Sequence, residues 1–252
     1  MAPQAAPPRG QRAPGLPPIA VPIPEVSDIV CGRRVSRRLV LLTACGLSLQ
    51  AWSAGPAPRQ PLTDDARWVL ERVASAQDNR GQPFMIIDKR QAHVWVFDPA
   101  AKLKGDAPVL LGSARGDHTA PGVGELPLAK IKPSDRTTPA GRFQAEVGSN
   151  LRGEAVVWVD YDTGVSMHPV LTTERSERRE QRLATPTPAD NRVSYGCINV
   201  PKAFHETVVL GTIKRGNSVV YVLPESQPLR SVFAQLAAPA TANNAPRPSV
   251  TR

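Results

Sequence analysis

The sequence predicts a mainly β domain with a few helices, strand-rich and arranged as a sandwich-like or barrel-like body. Apolar runs of strand length recur through the middle of the chain, and turn residues punctuate them. Only a few stretches show helical spacing of their apolar residues.

The 252-residue chain has room for one ordinary domain with tails, or at most two small domains. Its first thirty residues are dense in Pro, Ala and Gly, with Pro3, Pro7, Pro8, Pro14, Pro17, Pro18, Pro22 and Pro24. The stretch from Pro224 to Arg252 is similarly poor in large apolar side chains. Neither can bury enough surface to offset its ordering entropy.

Between the first tail and the rest lies Arg33-Arg34-Val35-Ser36-Arg37-Arg38, followed by the apolar run Leu39 to Leu49 and then Gln50-Ala51-Trp52-Ser53-Ala54. This is the order of a signal peptide: basic residues, an apolar run and a small-residue cleavage site read at Ala51 and Ser53. The run is too short to span a bilayer comfortably. Two further readings fall on the same residues: Ser36 to Leu41 resembles a twin-arginine signal, and Leu42-Thr43-Ala44-Cys45 resembles a lipobox. Simple cleavage is favoured, because only four apolar residues, Leu39 to Leu42, precede the lipobox cysteine. Export by the Sec route, or by the twin-arginine route on the second reading, implies a periplasmic or cell-envelope protein. Membrane attachment would come only through an uncleaved leader or a lipidated Cys45. Cys31 and Cys45 would leave with the leader, so Cys197 would stand without an intramolecular disulfide partner.

The formal charge is +9, but the leader holds six Arg against two acids, which leaves the remainder only modestly basic. Such an excess suits an anionic envelope polymer. No basic stripe with interleaved aromatics supports nucleic-acid binding.

Thr63 is placed to cap a helix running to about Ala76, with Asp64 and Asp65 in its first turn and Ala66, Val69, Leu70 and Val73 at helical spacing. Phe84 to Asp88 and Ala92 to Phe97 read as a hairpin, with His93 pointing away from the core. A third strand is expected over Pro108 to Ser113, then a long polar segment with Arg115, Asp117 and His118. Thr137-Thr138-Pro139-Ala140-Gly141 precedes Arg142-Phe143-Gln144-Ala145 and the β-rich Ala155 to Val159. Then come Gly164 to Pro169, a charged insert from Thr173 to Arg192, and Val193 to Pro201. A helix over Lys202 to Thr212 and a strand over Ser218 to Leu223 complete the domain.

A thiol nucleophile needs a way to become thiolate, a base, and donors for an oxyanion. Cys197 has Gly196 beside it, where a backbone can approach a substrate without a Cβ in the way. The N–H groups around Gly196 and Cys197, just ahead of a helix, are the expected oxyanion donors. Of the four histidines, His168 ends an apolar strand beside Pro169, which has no competing backbone N–H. Spacing alone does not prove that Cys197 and His168 meet, and a buried inert thiol is the plain alternative. His118 and His205 read as surface residues. No metal-ligand spacing surrounds His118 beyond Asp117.

Thr138-Pro139-Ala140-Gly141-Arg142-Phe143, Met167-His168 and Ser194-Tyr195-Gly196-Cys197-Ile198-Asn199, in that order, resemble the L,D-transpeptidase (YkuD) catalytic domain. Each motif is weak singly; ordered around one cysteine they are specific. The opening hairpin and the closing strand fit the ends of that domain as well. The resemblance divides the chain into an N-terminal extension plus signal peptide (1–54), a linker and helix (55–82), the catalytic domain (83–224) and a Pro/Ala-rich tail without expected structure (225–252).

The resemblance implies a β-sandwich-like fold in which Cys197 attacks a peptidoglycan stem peptide at its third residue, releases D-alanine and holds the acyl group as a thioester. The acyl group then passes to an amine of a second stem, giving a 3-3 cross-link, or to water, or the chemistry is turned on a wall-bound lipoprotein. His168 would be base and acid, oriented by the Pro169 carbonyl. Ser194, Gly196 and Asn199 would shape the site, and Arg192 would pair with a substrate carboxylate. The implied chemistry needs no cofactor and no metal. Two features depart from the family pattern. Tyr195 stands where the motif usually has His, and a phenol is a poor base near neutral pH. The segment from His168 to Ser194 is also longer than usual; its charges read as a solvated helix face, with a lid or carboxylate clamp as the alternative. A wall-binding module without chemistry is the reading from outside enzymology.

Overall fold

The computed structural model describes residues 60–214 and 216–237. The leader, with Cys31 and Cys45, lies outside the described residues. No described helix is long and apolar enough to cross a membrane.

The domain is mostly β. Helix α1 (Asp64–Ala76) starts where Thr63 caps it, the Thr63 hydroxyl accepting from the Ala66 N–H at 3.2 Å. Strands β1 (Phe84–Asp88) and β2 (His93–Phe97) form the expected hairpin. Next come β3 (Leu103–Pro108), the short β4 (Leu111–Gly112), β5 (Gly141–Ser149), β6 (Ala155–Asp160) and β7 (Val165–Pro169). The insert folds into α2 (Arg179–Ala184) between two 3-10 turns, Arg175–Glu177 and Pro188–Asn191. β8 (Arg192–Ser194) and β9 (Ile198–Val200) lead into α3 (Lys202–Phe204), a π-turn (His205–Val209) and α4 (Leu210–Ile213). β10 (Asn217–Leu223) precedes α5 (Leu229–Val232) and α6 (Ala234–Ala237).

Eight strands form one mixed sheet in the order β3-β2-β1-β10-β5-β6-β7-β9, and β4 pairs with β8 beside it. β10 lies parallel to β1 and antiparallel to β5, so the last strand among the described residues sits in the middle of the sheet. The alternation of β1 explains both layers. Met85 and Ile87 enter one apolar cluster, and Phe84 and Ile86 enter the other. The first cluster draws residues from all eight strands plus Val209 and Ile213, so the sheet wraps around it. The second lies between the opposite face and α1, α5 and α6. Trp95 and Trp158 are both core residues.

Four expectations are corrected. The third strand is β3 at 103–108, displaced from 108–113. β3 is an edge strand with one covered face, so its sequence Leu-Lys-Gly-Asp-Ala-Pro lacks the apolar density that marks a central strand. Leu110 and Leu111 instead pair toward Asn199 and β8. His93 is buried rather than outward, its Nε2 2.9 Å from Asp106 on β3; burial pushes its imidazole pKa down, with the Asp106 bond opposing. His205 is also buried, on the same side of the π-turn as Val209. Residues 225–237 are structured: Phe233 and Leu236 are buried in the second cluster.

Candidate active site

The site is built on a parallel pair of strands. β7 and β9 are in register with His168 opposite Asn199 and Pro169 opposite Val200. Side chains two apart along a strand share a face, so Ser166 lies beside His168, and Cys197 precedes Asn199 by the same step. The side chains meet accordingly: the Ser166 hydroxyl is 3.7 Å from the Cys197 sulfur, and Asn199 Nδ2 is 3.0 Å from His168 Nε2. Cys197 is half-buried, while Ser166, Asn199 and His168 are buried. The Asn199 backbone is clamped from the other side by reciprocal bonds with Leu110, at 2.8 and 2.9 Å.

A tight turn presents the thiol. The Ser194 hydroxyl donates to the Cys197 carbonyl at 2.6 Å and accepts the Gly196 N–H at 3.1 Å. Gly196 has φ of 132°, and a Cβ there would sit 2.8 Å from the Thr137 carbonyl oxygen. Only glycine fits both the dihedral and the space. The Thr138 hydroxyl donates to the Gly196 carbonyl at 2.8 Å and accepts the Gly112 N–H at 2.9 Å, so the Thr-Pro-Ala-Gly segment reaches across to hold the cysteine turn. The Thr138 carbonyl is held in turn by buried Lys89, whose ammonium also donates to Gly116 O and Asp117.

Of the two expected oxyanion donors, the Gly196 N–H is committed to Ser194, which leaves that of Cys197. The residue after Cys197 opens β9 and the next helix starts only at Lys202, so the expected helix directly after the thiol is replaced by a strand. Arg192 is bound internally: its guanidinium donates to Glu225 at 2.7 and 3.2 Å and to the Lys89 carbonyl at 2.7 Å. Tyr195 stacks against the Arg136 guanidinium, whose centre is 4.2 Å from the ring centroid. Arg136 is fixed by two bonds to the Ile131 carbonyl.

His168 Nδ1 is 2.8 Å from the Pro169 carbonyl oxygen, an acceptor only, so Nδ1 carries a proton and Nε2 faces the site. Burial alone pushes the Cys197 thiol up and the His168 imidazole down. Burial is the largest single influence on each, but the hydrogen-bonding and charge interaction between the two, together with Ser166 at the thiol and the Pro169 carbonyl at the imidazole, outweighs it, so the thiol is lowered and the imidazole raised. Ser166 adds to the thiol shift through its backbone N–H and its hydroxyl. The thiol proton has an acceptor in the Gly164 carbonyl, 3.7 Å away. The charge of Arg179 works against protonation of His168. Burial, and then the charge of His168, push His205 down to about 4, so it is neutral at ordinary pH. The arrangement supplies a nucleophile that ionises more easily than a free thiol, beside a base that can return the proton.

Of the residues singled out in the sequence, the structure brings Cys197, His168, Pro169, Ser194, Gly196 and Asn199 to one place, sets Tyr195 on the flank against Arg136 and turns Arg192 to Glu225 instead of leaving it free for a substrate carboxylate. Sequence reasoning missed Ser166, whose signal was the Ser-x-His step along one strand. It also missed Thr138 as the clamp on Gly196 and Arg179 of the insert, which donates to Asn199 Oδ1 at 2.7 Å.

No family model and no curated protein matches the chain. Similar solved structures include the catalytic domain of an L,D-transpeptidase from E. faecium, determined by NMR, at 20% identity and TM-score 0.33 over 57% of this chain and 98% of that one. L,D-transpeptidase LdtMt1 in complex with imipenem is similar at 17% identity and TM-score 0.33, covering 56% of this chain and 58% of that one. The helical cell shape determining protein Pgp2 from Campylobacter jejuni is similar at 13% identity and TM-score 0.37, covering 65% and 56%. The chain thus spans under two thirds of the length of the last two.

Proposed function

We propose that the protein is an exported L,D-transpeptidase of the YkuD type, acting on peptidoglycan stem peptides in the cell envelope. The observation that carries this reading is Cys197, at the turn that leads into β9, in hydrogen-bonding and charge interaction with His168 of β7, whose imidazole is oriented by the Pro169 carbonyl. The ordered motifs around them support it.

In the proposed reaction the Cys197 thiol gives its proton to His168 and attacks the carbonyl carbon of the third stem residue. The Cys197 N–H serves the resulting oxyanion. The C–N bond to the terminal D-alanine breaks as His168 returns the proton to the leaving amine, and the acyl group remains as a thioester. An acceptor amine then loses a proton to His168 and displaces the sulfur, giving a 3-3 cross-link and restoring the thiol. Water in place of the amine would make the same site a carboxypeptidase, and a lipoprotein-wall amide in place of the stem would make it a hydrolase. Tyr195, stacked on Arg136, fits a loop-anchoring role rather than proton transfer.

Incubation with a carbapenem followed by intact mass measurement tests the nucleophile. The wild type is expected to gain one adduct, Cys197→Ala none, and His168→Ala an adduct that forms far more slowly. No adduct in the wild type, with unchanged muropeptides when sacculi are supplied, would favour a wall-binding module.

A further inference from the structure

The proton positions around His168 are over-determined by groups that can only donate or only accept. A guanidinium only donates, so the atom of Asn199 that is 2.7 Å from Arg179 Nη1 is Oδ1. The Asn199 atom that faces His168 Nε2 at 3.0 Å is therefore the amide nitrogen, a donor. A carbonyl only accepts, so Nδ1 carries the hydrogen toward Pro169 O. Nε2 is then an acceptor already engaged by Asn199.

Arg179 belongs to the insert and is held from behind by Glu177 Oε2, 2.5 Å from its Nε. Its side chain is 12% exposed, and its partner Asn199 is fully buried. Glu174, Arg175, Arg178 and Glu180 are exposed, as a solvated face would be, but Arg179 is not. Part of the insert is packed into the site, one hydrogen bond removed from the imidazole.

We propose that Arg179 is a positioning residue: by donating to Asn199 Oδ1 it locks the Asn199 amide with its N–H toward His168 Nε2, holding the imidazole as the neutral Nδ1–H tautomer. The inference rests on the reading of Cys197 and His168 as a reactive pair. When the thiol proton moves from Cys197 Sγ to Nε2, the new N–H confronts the Asn199 N–H. Relief requires the amide to turn over and present Oδ1, and that turn breaks the Arg179 bond and sets N–H against the guanidinium. The insert thus opposes the thiolate–imidazolium pair while keeping Nε2 aimed as a base. The groups facing His168 are Cys197 from the turn, Asn199 from β9, Arg179 with Glu177 behind it from the insert, and His205 from the π-turn. Cys197 favours the imidazolium; Arg179 opposes it; His205 is neutral.

The test is the pH dependence of Cys197 alkylation by iodoacetamide in the purified protein, compared across wild type, Arg179→Met, Arg179→Lys and His168→Ala. Losing Arg179 frees the amide to turn. Arg179→Met is expected to move the alkylation midpoint to lower pH by about half a unit or more, or about threefold more alkylation near pH 6. Arg179→Lys, which restores one donor to Asn199, is expected to lie between Met and wild type. An unchanged midpoint in Arg179→Met, or one moved to higher pH, would overturn the proposal. Nitrogen-15 spectra of labelled histidine in the wild type give a readout that needs no variant to fold: a neutral His168 protonated at Nδ1 is expected, and protonation at Nε2 would overturn the positioning role directly. If His168→Ala alkylates with the wild-type profile, the reactive pair itself is wrong. If that profile moves to higher pH while Arg179→Met matches wild type, the pair stands and only the role of Arg179 is lost.

Discussion

The Ser166 hydroxyl stands 3.7 Å from the Cys197 sulfur, on the same face of β7 as His168. It follows from a step of two along one strand, and it gives the thiolate a donor besides the imidazole. Ser166→Ala removes the hydroxyl and leaves the backbone N–H. The alkylation midpoint of Cys197 should move up by about half a pH unit, and carbapenem acylation should slow by roughly threefold to tenfold. Stopped-flow acylation with a pH-dependent alkylation series measures both.

His168 and Cys197 shift each other in opposite directions, which fixes a sign for pH dependence. The folded thiol lies below its ordinary value, so its contribution to stability holds above the unfolded thiol value and fades as pH falls through the lowered one. The folded imidazole lies above its ordinary 6.5, so its contribution holds below that value and fades as pH rises through the raised one. In His168→Ala, burial alone acts on the thiol against the weaker help of Ser166. Its alkylation midpoint should therefore rise relative to wild type, with reactivity near neutral pH falling by at least about tenfold.

Gly196→Ala should be severe. The positive φ and the 2.8 Å approach to the Thr137 carbonyl oxygen leave no room for a methyl group, and the obstacle is backbone. A loss of about 2 to 4 kcal/mol in urea unfolding is expected, with adduct formation abolished even in the fraction that remains folded.

Asp117→Asn tests the support behind the site. Lys89 and Asp117 are fully buried and 2.8 Å apart. Burial would raise Asp117, but hydrogen bonds from Lys89, Ser226 and Glu225 hold it well below the usual carboxylate range. Neutralising it leaves a buried ammonium with Glu225 Oε1 at 3.8 Å as its remaining carboxylate. Thermal unfolding should show a loss of about 3 to 5 kcal/mol. In the wild type the Asp117 contribution is present above its unfolded value of 3.8 and is lost only in stronger acid, as pH falls through the depressed folded value.

Much of the fold was legible because its central strands are buried on both faces. Phe84 to Asp88 and Ser218 to Leu223 are nearly continuous apolar runs, and such runs carry their own signal. β3 was misplaced because an edge strand needs only one apolar face. The burial of His205 was not legible because an imidazole carries no apolar signal, although a step of four already sets it on the face of Val209. Residues 225–237 looked too poor in apolar residues to fold, yet Phe233 and Leu236 suffice where the face of β10 and α1 already offers a surface to cover.

From the sequence alone came the candidate pair, Cys197 and His168, and the order of the motifs around them, since residue type and motif order are properties of the chain itself. Only the tertiary structure decided which groups meet. Arg192 faces Glu225, Arg179 faces Asn199, and Thr138 faces Gly196, each pair brought together by the order of strands in the sheet and the folding of the insert. Periodicity assigns a side chain to a face; the neighbour across that face comes from a distant part of the chain, and no local pattern encodes it.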